Sequence, residues 1–441
     1  MSAPHFVTTA EELSKIRSLN RGESTSSTSS SLLDTPVWLS TKYIQKSLRI
    51  YYNDHTLKVN NINITPALGR GENYGGVLTR INAEYVTGTG QHQVGHYIVK
   101  TSFEGDELAL QIMEPYDIFN CEMSIYESVL PKLNALLREI GDNEQIFAAT
   151  MNVDYRKSAL IFEDLTMRGF TNPDRLQGLD KNLSKMVLKK LAKMHAASAV
   201  LNEREPRSLE HYDRGMYNRH TDNYAPCFVG LLEAMGRRLR QWPGYEHYAQ
   251  KIEKLRPMYM ELAKRVFDPL EGRLNVLAHG DIWTNNVMVK YDNESGKPLD
   301  AVIIDFQYSA WGSPAIDLFY FFNTSLNEEL QLAVEDELIQ YYYEILADTL
   351  TKLRYKAKIP SLHSFHMELE EKAFYAFCAS CILQAVQRNE DTHDADFNAL
   401  MLEDERAVKF KDSCYDTEFS ERIVKKFLPV YDRRGLLEPD Q

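Results

Sequence analysis

The sequence is short of cysteine, of long apolar runs and of positive charge. Five of its 441 residues are cysteine, an odd number, which disfavours a disulfide scaffold and fits a reducing compartment. No apolar run approaches the roughly 18 residues that a membrane span needs, and no basic segment followed by an apolar stretch opens the chain. Its 50 lysines and arginines against 63 aspartates and glutamates give a net charge of −13, which disfavours binding to nucleic acid or anionic membranes. We therefore expect a cytoplasmic protein.

What the chain does have is the composition of a folded protein. Hydrophobic residues make up 44% and charged residues 26% of the sequence, close to the average of globular proteins. At roughly 150 residues per domain, the chain is long enough for two or three domains. The Ser/Thr-rich stretch over residues 21–31 cannot bury apolar surface, so we expect residues 1–35 to form a disordered tail.

Residues 36–165 have the pattern of a small lobe built from strands and a few helices. Over residues 77–85 one face reads Val, Thr, Ile, Ala, Tyr and the other carries Arg80, Asn82 and Glu84, which predicts a strand with one buried face. A glycine turn follows, and residues 94–100 predict the returning strand. Apolar residues at helical spacing between Pro115 and Pro131 predict a helix bounded by the two prolines.

Residues 166–441 are mainly helical in pattern. Apolar residues follow a 3.6-residue period after Asp180, which is a typical helix N-cap. Strand patterns return only near Val276 and over residues 287–304, and helical patterns resume over residues 328–402. The predicted fold class is α+β, a small antiparallel-sheet lobe followed by a larger, mainly helical lobe. Since ligand sites tend to lie in clefts between unlike lobes, we expect the site there.

The segment with the most specific chemistry is residues 276–305, which begins VLAHGDIWTNNVMVK and ends AVIID. Two short apolar stretches, 287–290 and 301–304, flank a polar turn, and strands joined in this way pair antiparallel. This pairing brings Asn286, just before the first strand, next to Asp305, just after the second. Two hard oxygen ligands suit Mg²⁺, which prefers one or two such groups together with substrate phosphates.

Asp281 lies five residues before Asn286, on the loop that leads to the same end of the hairpin. A carboxylate there is able to accept the proton of an incoming hydroxyl while metal ions hold the phosphates. His279 and Gly280 would orient the loop and let the backbone turn tightly. The plain alternative is that Asp and Asn in turns only bond their own backbone and that the His is structural. The combination of HGDxxxxN, a hairpin and a terminal Asp is more specific than any member alone and favours phosphotransfer.

These motifs resemble the protein-kinase-like fold in its small-molecule branch, which aminoglycoside phosphotransferases and choline kinases share. The sequence looks most like the insect ecdysteroid kinase-like family. His279 through Asn286 resemble that family's catalytic loop, residues 304–307 (IDFQ) its metal-binding segment, and residues 311–318 (WGSPAIDL) the stretch that follows. The resemblance extends from about residue 36 to the end and implies a kinase-like two-lobe fold that uses ATP. It is much less specific for the acceptor.

The resemblance also implies a phosphate-covering loop in the first lobe. The candidate is the stretch LGRGENYGG, in which Gly69, Gly71 and Asn73 would approach the ATP phosphates. Its GxGxxxG spacing differs from the GxGxxG of protein kinases, and no Lys follows as it does in a P-loop. A plain hairpin turn is the alternative interpretation.

Lys100 ends a predicted strand, in the position of the lysine that holds the α- and β-phosphates in related kinases. Glu122, from the following helix, would be its ion-pair partner, because a cation and an acid gain from pairing in a partly buried site. Glu127 is a competing acid, although it falls off the apolar stripe of that helix. Without the resemblance, surface positions for Lys100 and Glu122 would be an equally good interpretation.

The stretch LIFEDL resembles the segment that links the two lobes and binds adenine. Backbone groups around Phe162, Glu163 and Leu165 would bond the base, whereas the alternative is an ordinary strand end with two solvated acids. His195, on a predicted helix, is interpreted as structural. We expect Asp317 to brace the catalytic loop through hydrogen bonds, since Asn286 and Asp305 already fill the metal-binding role.

The resemblance implies an ATP- and Mg²⁺-dependent kinase that phosphorylates a small hydrophobic alcohol, an ecdysteroid or a related steroid or xenobiotic. Residues 205–270 and 328–400 are rich in aromatics and Met, most of them expected in helix cores and a minority in an acceptor pocket with phenol donors. The alternative is a non-catalytic ligand-binding or scaffold protein on the same fold, although no expected metal ligand or phosphate-holding lysine is missing. We expect no nucleic-acid or membrane partner and a monomer or weak dimer.

Overall fold

The structure, a computed structural model, describes residues 7–8, 36, 38–67, 76–102, 107–390 and 397–438. The chain divides into two compact units. The first consists of residues 1–104 and 148–169, and the second of residues 105–147 and 170–441. The predicted division at residues 35 and 165 stays a prediction.

The first unit is built around an antiparallel sheet. Its elements are β1 (Val7–Thr8), α1 (Thr41–Tyr51), β2 (Lys58–Pro66), β3 (Val77–Val86), β4 (His92–Thr101), β5 (Thr150–Asp154) and β6 (Ala159–Glu163), followed by a 3₁₀ turn (Leu165–Arg168). The strands pair in the order β2–β3–β4–β6–β5, and β1 pairs with β4. A sheet of this kind, followed by a largely helical unit, confirms the predicted α+β class.

The period-two pattern of β3 determines which face of the sheet is buried. Ile81, Ala83 and Tyr85 are buried, whereas Glu84 between them is exposed. These residues belong to the core of the first unit, which α1 covers with Ile44 and other apolar side chains. The alternation therefore predicted both the strand and its core face, because neighbouring side chains of a strand point to opposite sides.

The second unit is mainly helical. Its helices are α2 (Glu107–Met113), α3 (Ile118–Ser124), α4 (Leu130–Glu139), α5 (Lys181–Arg204), α6 (Ala225–Leu239), α7 (Glu246–Leu255), α8 (Tyr259–Phe267), α9 (Ala315–Thr324), α10 (Glu335–Lys352), α11 (Leu362–Glu371), α12 (Phe374–Phe377), α13 (Gln384–Gln387), α14 (Phe397–Met401), α15 (Glu405–Ser413) and α16 (Glu418–Arg433). Its strands are β7 (Phe170–Thr171), β8 (Val276–Ala278), β9 (Val287–Tyr291), β10 (Pro298–Ile303) and β11 (Ala310–Gly312). Among the residues described, no helix is long and apolar enough to cross a membrane.

The helix expected between Pro115 and Pro131 does not stop at the second proline. After α3, a π-helical segment (Ile125–Val129) leads directly into α4, so the helical stretch continues to Glu139. Pro131 stands in the first turn of α4, where a residue without an N–H group costs little. The predicted helix end at Pro131 is therefore wrong.

The long helix α5 begins where its N-cap predicts. The Asp180 carboxylate accepts a hydrogen bond from the backbone N–H of Leu183 at 2.8 Å. Such a cap satisfies one of the backbone donors that the first turn of a helix leaves without a partner. Val187, Leu188 and Leu191, which carry the predicted 3.6-residue period, are completely buried. Both the start of α5 and its core face are thus confirmed.

A hairpin and a short strand pair position the segment of interest. In the antiparallel pair β9–β10, Val287 lies opposite Ile303 and Val289 opposite Ala301, as the apolar pattern predicts. The pair β8–β11 is also antiparallel, with Ala278 opposite Ala310. The loop from the end of β8 to the start of β9 is therefore held at both ends by strand pairing.

Candidate active site

The loop over residues 279–286 connects β8 to β9 and ends in a single 3₁₀ turn (Thr284–Asn286). The backbone N–H of Ile304 donates to the carbonyl of Asn286 at 3.0 Å. This bond extends the hairpin by one pair beyond the strand ends, so Asn286 lies beside the residue that precedes Asp305. The adjacency of positions 286 and 305, expected from the hairpin, is confirmed at the level of the backbone.

Asp281 and Asn286 are joined by two hydrogen bonds. The Asn286 amide Nδ2 donates to the backbone carbonyl of Asp281 at 2.8 Å and to its carboxylate Oδ2 at 3.0 Å. Both side chains are buried. Because the NH₂ end of the Asn286 amide donates to Asp281, only the amide oxygen of this side chain is able to bind a cation.

Asp305 adopts a backbone conformation that is rare for a residue with a side chain. Its φ is +68°, in the left-handed region that costs an L-residue about 1–2 kcal/mol. Residues held in such conformations concentrate at functional sites. The next residue, Phe306, is completely buried and packs edge-on against Tyr126 and Phe147, with both ring centroids 5.5 Å away, so the chain after Asp305 is anchored in the core.

Asp317 holds the backbone of the loop through hydrogen bonds. Its carboxylate accepts hydrogen bonds from the N–H groups of His279 at 2.7 Å and Gly280 at 2.8 Å. It also bonds His195 Nε2 at 2.8 Å, while His195 Nδ1 bonds the hydroxyl of Tyr342 at 2.6 Å. These groups are fully buried. The predicted bracing role of Asp317 and the structural role of His195 are both confirmed.

His279 orients the loop in its neutral form. Its Nε2–H donates to the carbonyl of Ile304 at 2.9 Å, and its Nδ1 accepts from the backbone N–H of Asp281 at 3.3 Å. Complete burial lowers the pKa of His279, partly offset by the charge of Asp317. The imidazole therefore links the loop over residues 279–286 to the residue before Asp305, as an orienting group.

Gly280 is required by the geometry of the turn. Its φ is +80°, and a Cβ atom built there would lie 2.0 Å from the carbonyl oxygen of Tyr308. Real Cβ atoms do not come so close to backbone atoms. Only glycine therefore fits this position, because the left-handed backbone and the close approach both exclude a side chain.

Tyr320 contacts Asp281, although none of the sequence motifs includes it. Its hydroxyl lies 2.5 Å from Asp281 Oδ1, and Gln387 Nε2 donates to the same hydroxyl at 2.7 Å. Its sequence position does carry one indication. Tyr320 follows Asp317 by three residues in α9, and residues three apart lie on the same face of a helix. Gln387, on α13, carries no sequence signal that links it to this site.

The oxygen donors fit a hard cation such as Mg²⁺. Asp305 offers a carboxylate and Asn286 an amide oxygen, the ligand types that Mg²⁺ takes beside phosphate oxygens. Within the described ranges, no group of three or more His, Cys, Asp or Glu side chains is placed to hold a metal. A cation bound by Asp305 and Asn286 would take its remaining ligands from water and from phosphate oxygens, which is the usual mode for Mg²⁺ in phosphotransfer.

The predicted nucleotide contacts are only partly within the described residues. Gly69, Gly71 and Asn73 lie outside them. Lys100 is buried on β4, opposite Leu78 on β3. In the second unit Glu122 is buried on α3, whereas Glu127 is exposed. The pairing of Lys100 with Glu122, and their role toward ATP, stay predictions.

The strand end at Phe162 to Leu165 is not a pair of solvated acids. Glu163 and Asp164 are both buried, and they pair with Arg168 and Arg80, each at 2.6 Å. Their backbone N–H groups donate to the carbonyls of Ala149 and His96. That alternative interpretation is therefore wrong, while the role of Phe162, Glu163 and Leu165 in adenine binding stays a prediction.

Most of the aromatic and Met side chains considered for an acceptor pocket lie in the core. Nearly all are buried, as expected for helix interiors: Tyr212, Met216, Tyr217, Tyr224, Phe228, Met235, Trp242, Tyr342, Phe374 and Phe377. Tyr341 is only partly buried. The expectation that most of them are core residues is confirmed.

Comparison with known proteins agrees with the motifs of the loop and hairpin. A search of the curated proteins found no match to this chain. Residues 70–355, about two thirds of the sequence, match the ecdysteroid kinase-like family. This range contains the whole segment from β8 to α9. The chain therefore belongs to the ecdysteroid kinase-like family, which implies a kinase-like, small-molecule phosphotransferase and suggests the use of ATP.

Proposed function

We propose that the protein is an ATP- and Mg²⁺-dependent kinase that phosphorylates a hydroxyl group of a small hydrophobic alcohol, an ecdysteroid or a related steroid or xenobiotic. The observation that carries this proposal is the pair of hydrogen bonds from Asn286 to Asp281, at the end of the hairpin that leads to Asp305. These two bonds join Asp281, the residue expected to accept the proton of the acceptor hydroxyl, to Asn286, a residue expected to bind the metal ion. Family membership supports the same chemistry.

In this proposal Asp281 accepts the proton of the acceptor hydroxyl. The acceptor oxygen forms a bond to the γ-phosphorus of ATP, the bond from that phosphorus to the β,γ-bridging oxygen breaks, and ADP leaves. Asn286 and Asp305 would hold Mg²⁺, which supplies positive charge to the phosphate oxygens. His279, Gly280 and Asp317 keep the loop in a single conformation. Asp281 is therefore already positioned before the reaction, and the entropy cost of ordering it is not part of the barrier.

The surroundings of Asp281 in the second unit favour an apolar acceptor. Tyr224 and Tyr308 share a hydrogen bond of 2.8 Å between their hydroxyls. Burial raises the pKa of both phenols, and the nearby charge of Asp281 raises it further. A pair of neutral phenols near the base, of which Tyr308 is partly exposed and Tyr224 is buried, suits a hydrophobic alcohol better than a polycation.

The direct test is product formation. The purified protein is incubated with ATP, Mg²⁺ and ecdysone, and mass spectrometry is used to look for the phosphate ester. The variant Asp281→Asn should form none while unfolding at a temperature close to that of the wild type. The matched control is Asp348→Asn, the same change at an exposed position of α10, which should keep full activity.

Two results would contradict the proposal. Full turnover by Asp281→Asn would remove the role given to that carboxylate. Absence of any ester from a panel of steroid and xenobiotic alcohols, together with no heat on titration with Mg²⁺ and ATP, would favour a non-catalytic ligand-binding protein instead. Tight ecdysone binding under those conditions would establish that second function.

A further inference from the structure

The carboxylate of Asp281 is held at both of its oxygens. The Tyr320 hydroxyl lies 2.5 Å from Oδ1, and Asn286 Nδ2 donates to Oδ2 at 3.0 Å. The two partners come from different elements, Tyr320 from α9 and Asn286 from the turn before β9. Rotation of the carboxylate out of this orientation would break at least one of the two bonds.

The direction of the Tyr320 proton follows from its second partner. Gln387 Nε2 lies 2.7 Å from the Tyr320 hydroxyl oxygen. An amide NH₂ group only donates, so the Tyr320 oxygen accepts from Gln387. The single hydroxyl proton of Tyr320 is then directed to Asp281 Oδ1, where a carboxylate accepts it in a charge-assisted hydrogen bond.

The Tyr320 ring itself has little freedom to move. It is almost completely buried, as are all residues of α9. Its ring stacks on that of Tyr375, with centroids 6.0 Å apart and planes within 15°. Burial, reinforced by the charge of Asp281, raises the pKa of Tyr320 well above its ordinary value, so the hydroxyl stays protonated and remains a donor.

The helix α9 thus contacts the catalytic loop twice. Asp317 accepts from the backbone N–H groups of His279 and Gly280, and Tyr320, three residues later, binds the side chain of Asp281. Residues three apart lie on the same face of a helix. One face of one buried helix therefore orients both the backbone of the loop and the carboxylate that the loop carries.

We propose that Tyr320 is a positioning residue for the phosphotransfer reaction: it fixes the Asp281 carboxylate in the orientation that receives the acceptor proton, and Gln387 directs the Tyr320 hydroxyl toward it. This inference rests on the proposed function. The consequence is kinetic, because a base that is correctly oriented before the acceptor binds lowers the barrier to transfer without changing how tightly ATP or the acceptor binds.

The variant Tyr320→Phe removes the hydroxyl and keeps the ring. We expect kcat to fall about tenfold to a hundredfold, as for loss of a hydrogen bond to a charged group, with KM for ATP and for ecdysone within about twofold of the wild type. The matched control is Tyr375→Phe, because this neighbouring phenol is equally buried and its hydroxyl has no hydrogen-bond partner in the part of the chain that is described. It should keep the wild-type kcat. A kcat for Tyr320→Phe within twofold of the wild type would overturn the proposal, as would an equal loss in both variants.

Proton NMR provides a readout that does not need turnover. A buried hydroxyl in a short bond to a carboxylate should give a resonance far downfield, present in the wild type and in Tyr375→Phe and absent from Tyr320→Phe and Asp281→Ala. If the resonance behaves in this way but ecdysone and other alcohols are not phosphorylated, the proposed function fails and the orientation of Asp281 by Tyr320 stands. If the protein is an active kinase and the resonance persists in Tyr320→Phe or Asp281→Ala, the positioning role fails and the proposed function stands.

Discussion

The carboxylate of Asp317 accepts a hydrogen bond from the backbone N–H of Gly280 at 2.8 Å, and with its other oxygen it binds the N–H of the preceding residue. A loop held by its own backbone at this point cannot change conformation without leaving a buried carboxylate unpaired. The loop over residues 279–286 is therefore fixed to the helix that carries Asp317.

The variant Asp317→Asn should destabilise the protein strongly. An amide offers one accepting oxygen where the carboxylate binds His279, Gly280 and His195, and its NH₂ group would face a backbone donor. Breaking a buried, charged hydrogen-bond group costs about 3–5 kcal/mol. Differential scanning fluorimetry should show a clear drop in the unfolding temperature, together with loss of activity. The exposed control Asp348→Asn should unfold like the wild type; equal unfolding temperatures for the two variants would contradict the bracing role.

Replacing Gly280 by alanine should cost far more than backbone conformation alone explains. A Cβ atom at position 280 would overlap the carbonyl oxygen of Tyr308 at 2.0 Å, and backbone atoms have no alternative rotamer. The control is Gly296→Ala in the β9–β10 turn, where φ is +65° and no atom lies within 4 Å of the added Cβ. The free energy of unfolding of the control should fall only by the cost of a left-handed backbone at alanine, about 1 kcal/mol. Thermal unfolding should separate the two variants by several degrees, and similar unfolding temperatures would show that the loop relaxes around the added methyl group.

The parts of the fold set by local spacing were predictable from the sequence. The alternation in β3, the Asp180 cap of α5 and the β9–β10 hairpin all depend on residues close together in the chain. The hairpin also explains why positions 286 and 305 were predictable neighbours. Antiparallel pairing of two consecutive strands places the residue before the first strand near the residue after the second. Asp317 was predictable as a brace only through the family resemblance.

Other features depend on packing that the sequence does not reveal. The helical stretch passes Pro131, which directly follows a π-helical segment, and the helical spacing of apolar residues does not indicate such a rare segment. The contact of Tyr320 with Asp281 joins residues 39 positions apart, so no local pattern predicts it. Likewise, the left-handed backbone of Asp305 could not be expected from an apolar strand that ends in an acid.

The left-handed backbone at Asp305 predicts that a glycine variant at this position is more stable than an alanine variant. Asp305→Gly and Asp305→Ala both remove the carboxylate and should both abolish the proposed activity. At φ +68° glycine avoids the penalty that Ala pays, so the glycine variant should be the more stable one by about 1 kcal/mol. The control pair is Asp348→Gly and Asp348→Ala within α10, where helix propensity makes Ala more stable by a similar amount. Thermal unfolding of the four variants should show this reversal; a more stable Ala variant at position 305 would contradict the left-handed conformation.

Glu335, in the first turn of α10, should make the stability of the protein depend on pH. Burial raises its pKa from 4.5 to about 7; Arg434 opposes this shift, while Asp336 and Glu370 reinforce it. The folded protein therefore retains a proton that the unfolded chain releases between these values, so the free energy of unfolding falls as pH rises from about 4.5 to 7 and levels off above. The contribution amounts to as much as about 3 kcal/mol at 1.36 kcal/mol per pKa unit.

The variant Glu335→Gln has no proton to lose at this position. Relative to the wild type, its unfolding temperature should therefore be higher at about pH 8 than at about pH 5, because only the wild type gives up the stabilising proton on that path. The control is Asp348→Asn, an exposed carboxylate of the same helix that does not contribute to the pKa shift of Glu335; its unfolding temperature should differ from the wild type by the same small amount at both pH values. A difference between Glu335→Gln and the wild type that is independent of pH would show that the Glu335 carboxyl is solvated in the folded protein, because desolvation is the main cause of its raised pKa.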